Sequence, residues 1–196
     1  MEVSTALLLR TPLFRGIPQE ALPALLEGLG ARKRRCGRGE VVLRRGERAD
    51  RLGLVLSGTL HIVKEDFWGS RTIVGLARSG EVFAEAYACA SDEPLLVDVV
   101  ASEACEVLFL DAKRILTQCT NACEHHSRII RNLVRTLAQK NLALSRRSLH
   151  TGPRTIRARL LSYLGEQARR AGGRSFTIPF DRQQLADYLN VERSAL

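Results

Sequence analysis

Residues Phe180–Leu196, FDRQQLADYLNVERSAL, decide the reading of this chain. Asp181 stands before a short amphipathic run, and Gln184 follows three residues on, which is a capping-box pattern. Leu185, Ala186 and Leu189 make one apolar face, and Ala186 is small where two helices must cross closely. Asn190 tolerates the left-handed backbone that a sharp turn needs. Glu192–Ala195 then open a second helix. A helix, a tight turn and a second helix form the DNA-binding helix-turn-helix, whose second helix enters the major groove. The chain stops about one turn into that second helix. The 196-residue form is therefore expected to read specific DNA poorly, because one helical turn packs weakly on its scaffold.

Charge runs into this corner. Between His125 and Arg174 stand twelve Lys/Arg residues and one acid, Glu166, within a chain of net charge +9. Such a block attracts a polyanion, and duplex DNA is the obvious one. The bland alternative is a solvated helix face.

Upstream, Thr151-Gly152-Pro153 marks a junction where one helix stops and another begins. Ile156, Leu160, Leu161 and Leu164 share a face of the next helix. Gly172-Gly173 ends it, and Phe176-Thr177-Ile178 reads as a short strand. Helix, strand and corner together are the opening of a winged helix. Before the junction, a long helix runs from about Thr120 or Asn121 to Arg147. Its Ile130, Leu133, Leu137, Asn141 and Leu144 follow a spacing close to a coiled-coil seam, which points to a homodimer. An amphipathic helix packed on its own domain is the other reading.

Between Ala31 and Leu110 the chain reads as short strands cut by glycine turns. Val41–Leu43, Leu52–Leu56, Leu60–Val63, Arg71–Val74 and Val107–Leu110 are strand-like, with Gly37, Gly39, Gly46, Gly58, Gly69 and Gly80 between them. This pattern argues for an all-β barrel or double sheet. Residues 1–30 suggest short helices, with Ala21, Leu22, Leu25, Leu26 and Leu29 at helical spacing. The expected fold is α+β: a β jelly-roll sensor over 1–119, a long dimerisation helix and hinge over 120–150, and a partial winged-helix domain over 151–196.

With 45% hydrophobic and 26% charged residues, the composition is that of a folded soluble domain. There is no apolar run of about 18 residues to span a membrane. The N-terminus lacks a signal-peptide pattern. Five irregularly spaced cysteines fit reduced thiols in the cytoplasm better than a disulfide framework.

The chain resembles the Crp/Fnr family of bacterial transcription regulators. Two stretches carry the resemblance: Gly39–Leu60, GEVVLRRGERADRLGLVLSGTL, similar to the front half of a cyclic-nucleotide-binding-type jelly roll, and the terminal corner. The resemblance implies a homodimer in which an effector, bound between sensor and long helix, reorients two DNA-binding domains. These would occupy successive major grooves of a near-palindromic operator, about one helical turn apart. It assigns DNA contacts to Arg182, Gln183, Glu192, Arg193 and Ser194, with Arg193 matching a guanine-reading arginine. It allows RNA polymerase as a further partner.

The same resemblance places an effector pocket at Glu85, Leu95, Leu96, Lys140 and Asn141. In members that bind cyclic AMP, a Gly-Glu pair holds the ribose and an Arg-Ser pair holds the cyclic phosphate. Glu85 matches the glutamate, but Ala84 replaces the glycine, and Leu95-Leu96 replace Arg-Ser. Two leucines supply neither cation nor hydroxyl to a phosphate. The expected effector is therefore a small molecule other than cyclic AMP, with no cofactor assigned. The iron–sulfur branch uses cysteines near the N-terminus, and the first 35 residues here contain none.

One cluster has metal-ligand chemistry: Cys119, Cys123, His125 and His126. Cys119 and Cys123 are one helical turn apart and, with an imidazole, suit a soft metal or a redox thiol pair. Buried small side chains near a hinge are the other reading. No nucleophile–base pair or phosphate loop points to an enzyme, and the strand region has one histidine, His61, where cupin metal sites draw on several. A dimeric ligand-binding or interaction module with impaired DNA binding is the alternative function.

Overall fold

The computed structural model describes residues 5–69, 71–90, 93–117 and 124–196. The chain divides into two compact units, Met1–Leu137 and Ala138–Leu196.

In the first unit, two short helices, α1 (Thr5–Arg10) and α2 (Leu22–Gly28), precede eight strands. These are β1 (Arg32–Cys36), β2 (Val41–Leu43), β3 (Arg51–Ser57), β4 (Thr59–Glu65), β5 (Arg71–Arg78), β6 (Val82–Phe83), β7 (Asp98–Ala101) and β8 (Cys105–Asp111). They form two antiparallel four-stranded sheets of order β1-β8-β3-β6 and β2-β7-β4-β5, the strand order of a jelly roll. Helix α3 (Glu85–Ala90) interrupts the strands, and α4 (Ala112–Leu116), capped by the Asp111 side chain, follows them.

Strand β3 reads LGLVL because both of its faces are covered. Leu52, Leu54 and Leu56 pack with Leu108 and Leu110 of β8 against the helical residues Leu8, Phe14, Leu22 and Leu25. The alternate residues, Val55 of β3 and Val107 of β8, face the other sheet at Val42, Leu60, Ala77 and Val99. A strand buried on both sides loses the apolar–polar alternation of a half-exposed one. Gly53 is required where β3 meets β6, because a Cβ there would overlap the ring of its partner Phe83.

Helix α5 (Glu124–Thr151) begins in this unit. Ile129 and Leu133 are buried in the core of the first unit, with Ile130 and Leu137 packed against it. Buried Asn132 donates from Nδ2 to the carbonyls of Leu13 and Arg15, both at 2.9 Å. His126 Nε2 donates to the Ile115 carbonyl at 2.8 Å. The first half of the expected seam thus serves its own sheets. The residues left outward at heptad spacing are Val134, Asn141 and Leu144, with Val134 58% and Leu144 67% exposed.

In the second unit, the end of α5 is joined by α6 (Ile156–Ala171) and α7 (Arg182–Leu189), followed by a 3-10 turn, Arg193–Ala195. Thr155 caps α6 through its side chain, and Gly172 ends it in the left-handed conformation. The core is Tyr163, Leu185 and Leu189, with Leu160, Leu164, Ile178 and Phe180 around them. Residues 176–178 pair with no strand among the described residues, so the expected strand is not formed. The reason is local: no second extended segment of this unit lies alongside to receive its hydrogen bonds.

Candidate effector and nucleic-acid sites

Of the residues expected to line an effector pocket, Glu85 lies at the β6–α3 turn. Ala84 has φ +58°, the left-handed region, and is one of two non-glycine residues among the described positions with positive φ. Its carbonyl accepts from the Ala88 amide at 2.9 Å, so the turn is closed as α3 begins. An alanine held there costs about 1 kcal/mol relative to glycine. Glu85, 5% exposed, opens α3 directly after it. One turn on, Cys89 is a poor nucleophile: burial, and then the Glu85 charge, push its thiol up.

Leu95 and Leu96 diverge. Leu95 is 2% exposed and belongs to the core, whereas Leu96 is 67% exposed. The Leu95 amide is already used by the Glu47 carbonyl at 2.8 Å, and the Leu95 carbonyl by the Gly46 amide at 2.8 Å. The two side chains therefore offer a phosphate no donor, and the Leu95 amide is already spent. Lys140 and Asn141 are exposed residues of α5 in the second unit.

Of the metal candidates, Cys119 and Cys123 lie outside the described residues. His125 is half-buried, and His126 uses Nε2 on the Ile115 carbonyl. No group of three His, Cys, Asp or Glu suited to a metal occurs among the described residues.

The first helix of the terminal corner and its turn have the expected local geometry, whereas the expected start of a second helix is a 3-10 turn, Arg193–Ala195. Asp181 accepts from the Gln184 amide at 2.7 Å, and the Gln184 side chain accepts from the Asp181 amide at 3.0 Å. Asn190 ends α7 at φ +54°. Ala186 is fully buried and Leu185 nearly so, while Arg182, Gln183, Glu192, Arg193 and Ser194 are exposed. The corner thus buries its scaffold face and presents its polar one.

The basic block divides into two classes that its sequence does not separate. Arg147 donates through Nε to the Tyr188 carbonyl at 3.0 Å and through an Nη to the Asp187 carbonyl at 2.9 Å. Arg159 donates to the carbonyls of Leu189 (3.3 Å) and Asn190 (3.0 Å), and to Pro153 at 2.9 Å. The last four carbonyls of α7 and its turn, which a helix end leaves without intrahelical partners, are satisfied by these two side chains. Arg146 and Arg170 flank Glu166. Six others in this unit, Arg154, Arg157, Arg169, Arg174, Arg182 and Arg193, are exposed and make no ion pair among the described residues.

Behind the clamp lies a polar knot. His150, 3% exposed, places Nδ1 2.9 Å from the Tyr188 hydroxyl and Nε2 2.7 Å from the Glu166 carboxylate. Its ring meets Tyr163 edge-on at 5.5 Å, and Tyr163 stacks on Phe180. Burial would raise the Glu166 carboxyl, but Arg170 and His150 outweigh it and hold it below the usual glutamate range. The end of α5, the middle of α6 and the end of α7 are joined through this group.

Residues 33–121 match the family model described as the cyclic nucleotide-binding domain. No curated protein matches the chain. Among solved structures, the chain is similar to the catabolite activator protein of Thermus thermophilus, at 20% identity over 94% of this chain and 83% of that one, with a TM-score of 0.56. It is similar to the c-di-GMP responsive global regulator CLP of Xanthomonas campestris, at 20% identity over 90% and 87%, TM-score 0.61. It is also similar to DNR of Pseudomonas aeruginosa, at 20% identity over 100% and 86%, TM-score 0.55. At these identities the likeness is one of fold: a cyclic-nucleotide-binding β sandwich of two antiparallel sheets, followed by C-terminal helices. No helix among the described residues is long and apolar enough to cross a membrane.

Proposed function

We propose that this chain is an effector-responsive transcription regulator of the Crp/Fnr type, acting in the cytoplasm as a homodimer on near-palindromic duplex DNA. The domain division proposed is a sensor over 1–119, a dimerisation helix over 120–150 and a partial winged helix over 151–196. The observation that carries the reading is the corner at 181–196: a closed capping box, a left-handed Asn190, a buried scaffold face and an exposed polar one. Arg182 and Gln183 are assigned to backbone phosphates, and Glu192, Arg193 and Ser194 to base edges. Dimerisation is assigned to the outward residues Val134, Asn141 and Leu144 of α5, where a polar Asn fixes register.

The effector is assigned to the Glu85 turn and to Leu95 and Leu96 through the family resemblance. Lys140 and Asn141 are assigned to it through the family resemblance alone. It is a small molecule other than cyclic AMP, because two leucines stand where the phosphate would need a cation and a hydroxyl, and the Leu95 amide is already spent. Calorimetric titration with cyclic AMP is expected to give no heat of binding. Micromolar affinity would remove this assignment.

The decisive experiment is duplex binding across a salt series. Six unpaired exposed arginines on one unit predict a slope of log K against log salt of about −3 to −5, at about −0.9 per neutralised phosphate. A dimer with no affinity for duplex DNA would instead favour a ligand-binding or interaction module.

A further inference from the structure

Cys36 and Cys105 are directly opposed residues of the β1–β8 ladder. Opposed residues of an antiparallel pair point to the same face. Here that face is the space between the sheets, where Cys36 is 4% and Cys105 3% exposed, among Val42, Val55, Val99 and Val107. Cα atoms opposed in such a ladder lie about 4.5–5.5 Å apart, inside the roughly 4.4–6.8 Å that a disulfide spans. The two thiols are close enough to perturb one another's ionisation. Gly58 closes over them with φ +79°. A Cβ at that glycine would come within 2.7 Å of the Cys105 Cβ, so the Cys105 side chain has no room to turn away on that side. Strand β1 is the edge of its sheet and pairs with β8 alone, so small openings of this edge admit a reagent without disrupting β3 or β6.

We propose that Cys36 and Cys105 are a disulfide-forming site, oxidised by a low-molecular-weight disulfide, that fastens edge strand β1 to the sandwich. This goes beyond the regulatory reading and does not depend on it. Cys36 is the attacking thiol. Burial raises both thiols, Cys105 to about 11, but Arg34 opposes the effect at Cys36 and the Cys105 S–H stabilises its thiolate. The Cys36 thiolate attacks one sulfur of the small disulfide, whose S–S bond breaks and releases one small thiolate. Cys105 gives its proton to solvent and attacks the Cys36 sulfur of the mixed disulfide, releasing the second small thiolate. Two protein thiols lose two electrons, and one small disulfide gains them and becomes two thiols. The pair is slow near neutrality because few thiolates exist there, and it quickens with pH.

The test uses the whole folded chain with oxidised glutathione at pH 7 and pH 9, trapping with N-ethylmaleimide, and peptide mapping. The expected result is a Cys36–Cys105 link that forms at least 10-fold faster at pH 9, with or without further oxidation at Cys119 or Cys123. In C105S, Cys36 should be recovered as a glutathione adduct or a free thiol. C36V, which keeps the core volume, should leave Cys105 unlinked if C105S does not fold. The inference is overturned if the native chain oxidises elsewhere while Cys36 and Cys105 stay free. It is equally overturned if both carry glutathione and no link forms.

Discussion

Replacing Arg147 by alanine should loosen the corner at residues 181–196 without touching its exposed surface. Arg147 supplies two hydrogen bonds, at 3.0 and 2.9 Å, to carbonyls at the end of α7, and its guanidinium lies 5.8 Å above the Tyr188 ring. A charge-assisted bond of this kind, half-exposed, is worth about 1–1.5 kcal/mol net. The loss is therefore about 2–3 kcal/mol from the local stability of residues 182–191. At about 1.4 kcal/mol per decade, amide exchange in that segment should accelerate about 30- to 150-fold, read by hydrogen-exchange mass spectrometry. R147K keeps the charge but offers a point donor where a fork is needed, so it should recover about half of the loss. If Arg147 were instead a phosphate contact, R147A would leave exchange unchanged and flatten the salt slope of DNA binding by about 1. Exchange within threefold of the parent in R147A would refute the clamp.

Three further outcomes follow from the geometry. G53A should destabilise the first unit by about 3 kcal/mol, because the new Cβ enters the Phe83 ring, and G53A/F83L should recover much of it in urea unfolding. A84G should stabilise the chain by about 1 kcal/mol by removing the left-handed alanine, and a lower melting temperature would contradict this. The depressed Glu166 carboxyl stabilises the second unit above the ordinary glutamate pKa and loses that contribution as pH falls through its lowered folded value. Exchange protection in residues 138–196 should therefore drop below about pH 4.5 in the parent and be flatter in E166Q.

Local chemistry was what the sequence disclosed best. Asp181 with Gln184, Asn190 after Leu189, and the glycines at 46, 58 and 80 each have one physical reason to stand where they do, and the structure uses them so. The apolar runs 52–56 and 107–110 became β3 and β8 because burial on both faces leaves an unbroken hydrophobic signature. Strand β1 escaped notice because Arg32–Arg35 carry no apolar alternation. As an edge strand, it is held by its ladder and by pairs such as Lys33 and Arg35 with Glu106. At the start of α5, Leu133 faces the sheets and Val134 faces outward. Heptad spacing alone cannot choose between neighbours that are both apolar. The basic block was legible as charge but not as two populations. Only the carbonyls left over at the end of α7 show that Arg147 and Arg159 face inward.

The hairpin joining β4 to β5 ends in Phe67 and Trp68, 94% and 87% exposed, with Trp68 the single tryptophan of the chain. Its indole is surrounded by solvent, so the intrinsic fluorescence of this protein begins at the red limit of its range. Any surface that settles on the hairpin will dry that ring and move the emission toward the blue. Events confined to the helical unit, whose aromatic residues are Tyr163, Phe176, Phe180 and Tyr188, will leave it where it was. The protein thus carries its own optical gauge for contact at one end of the sandwich.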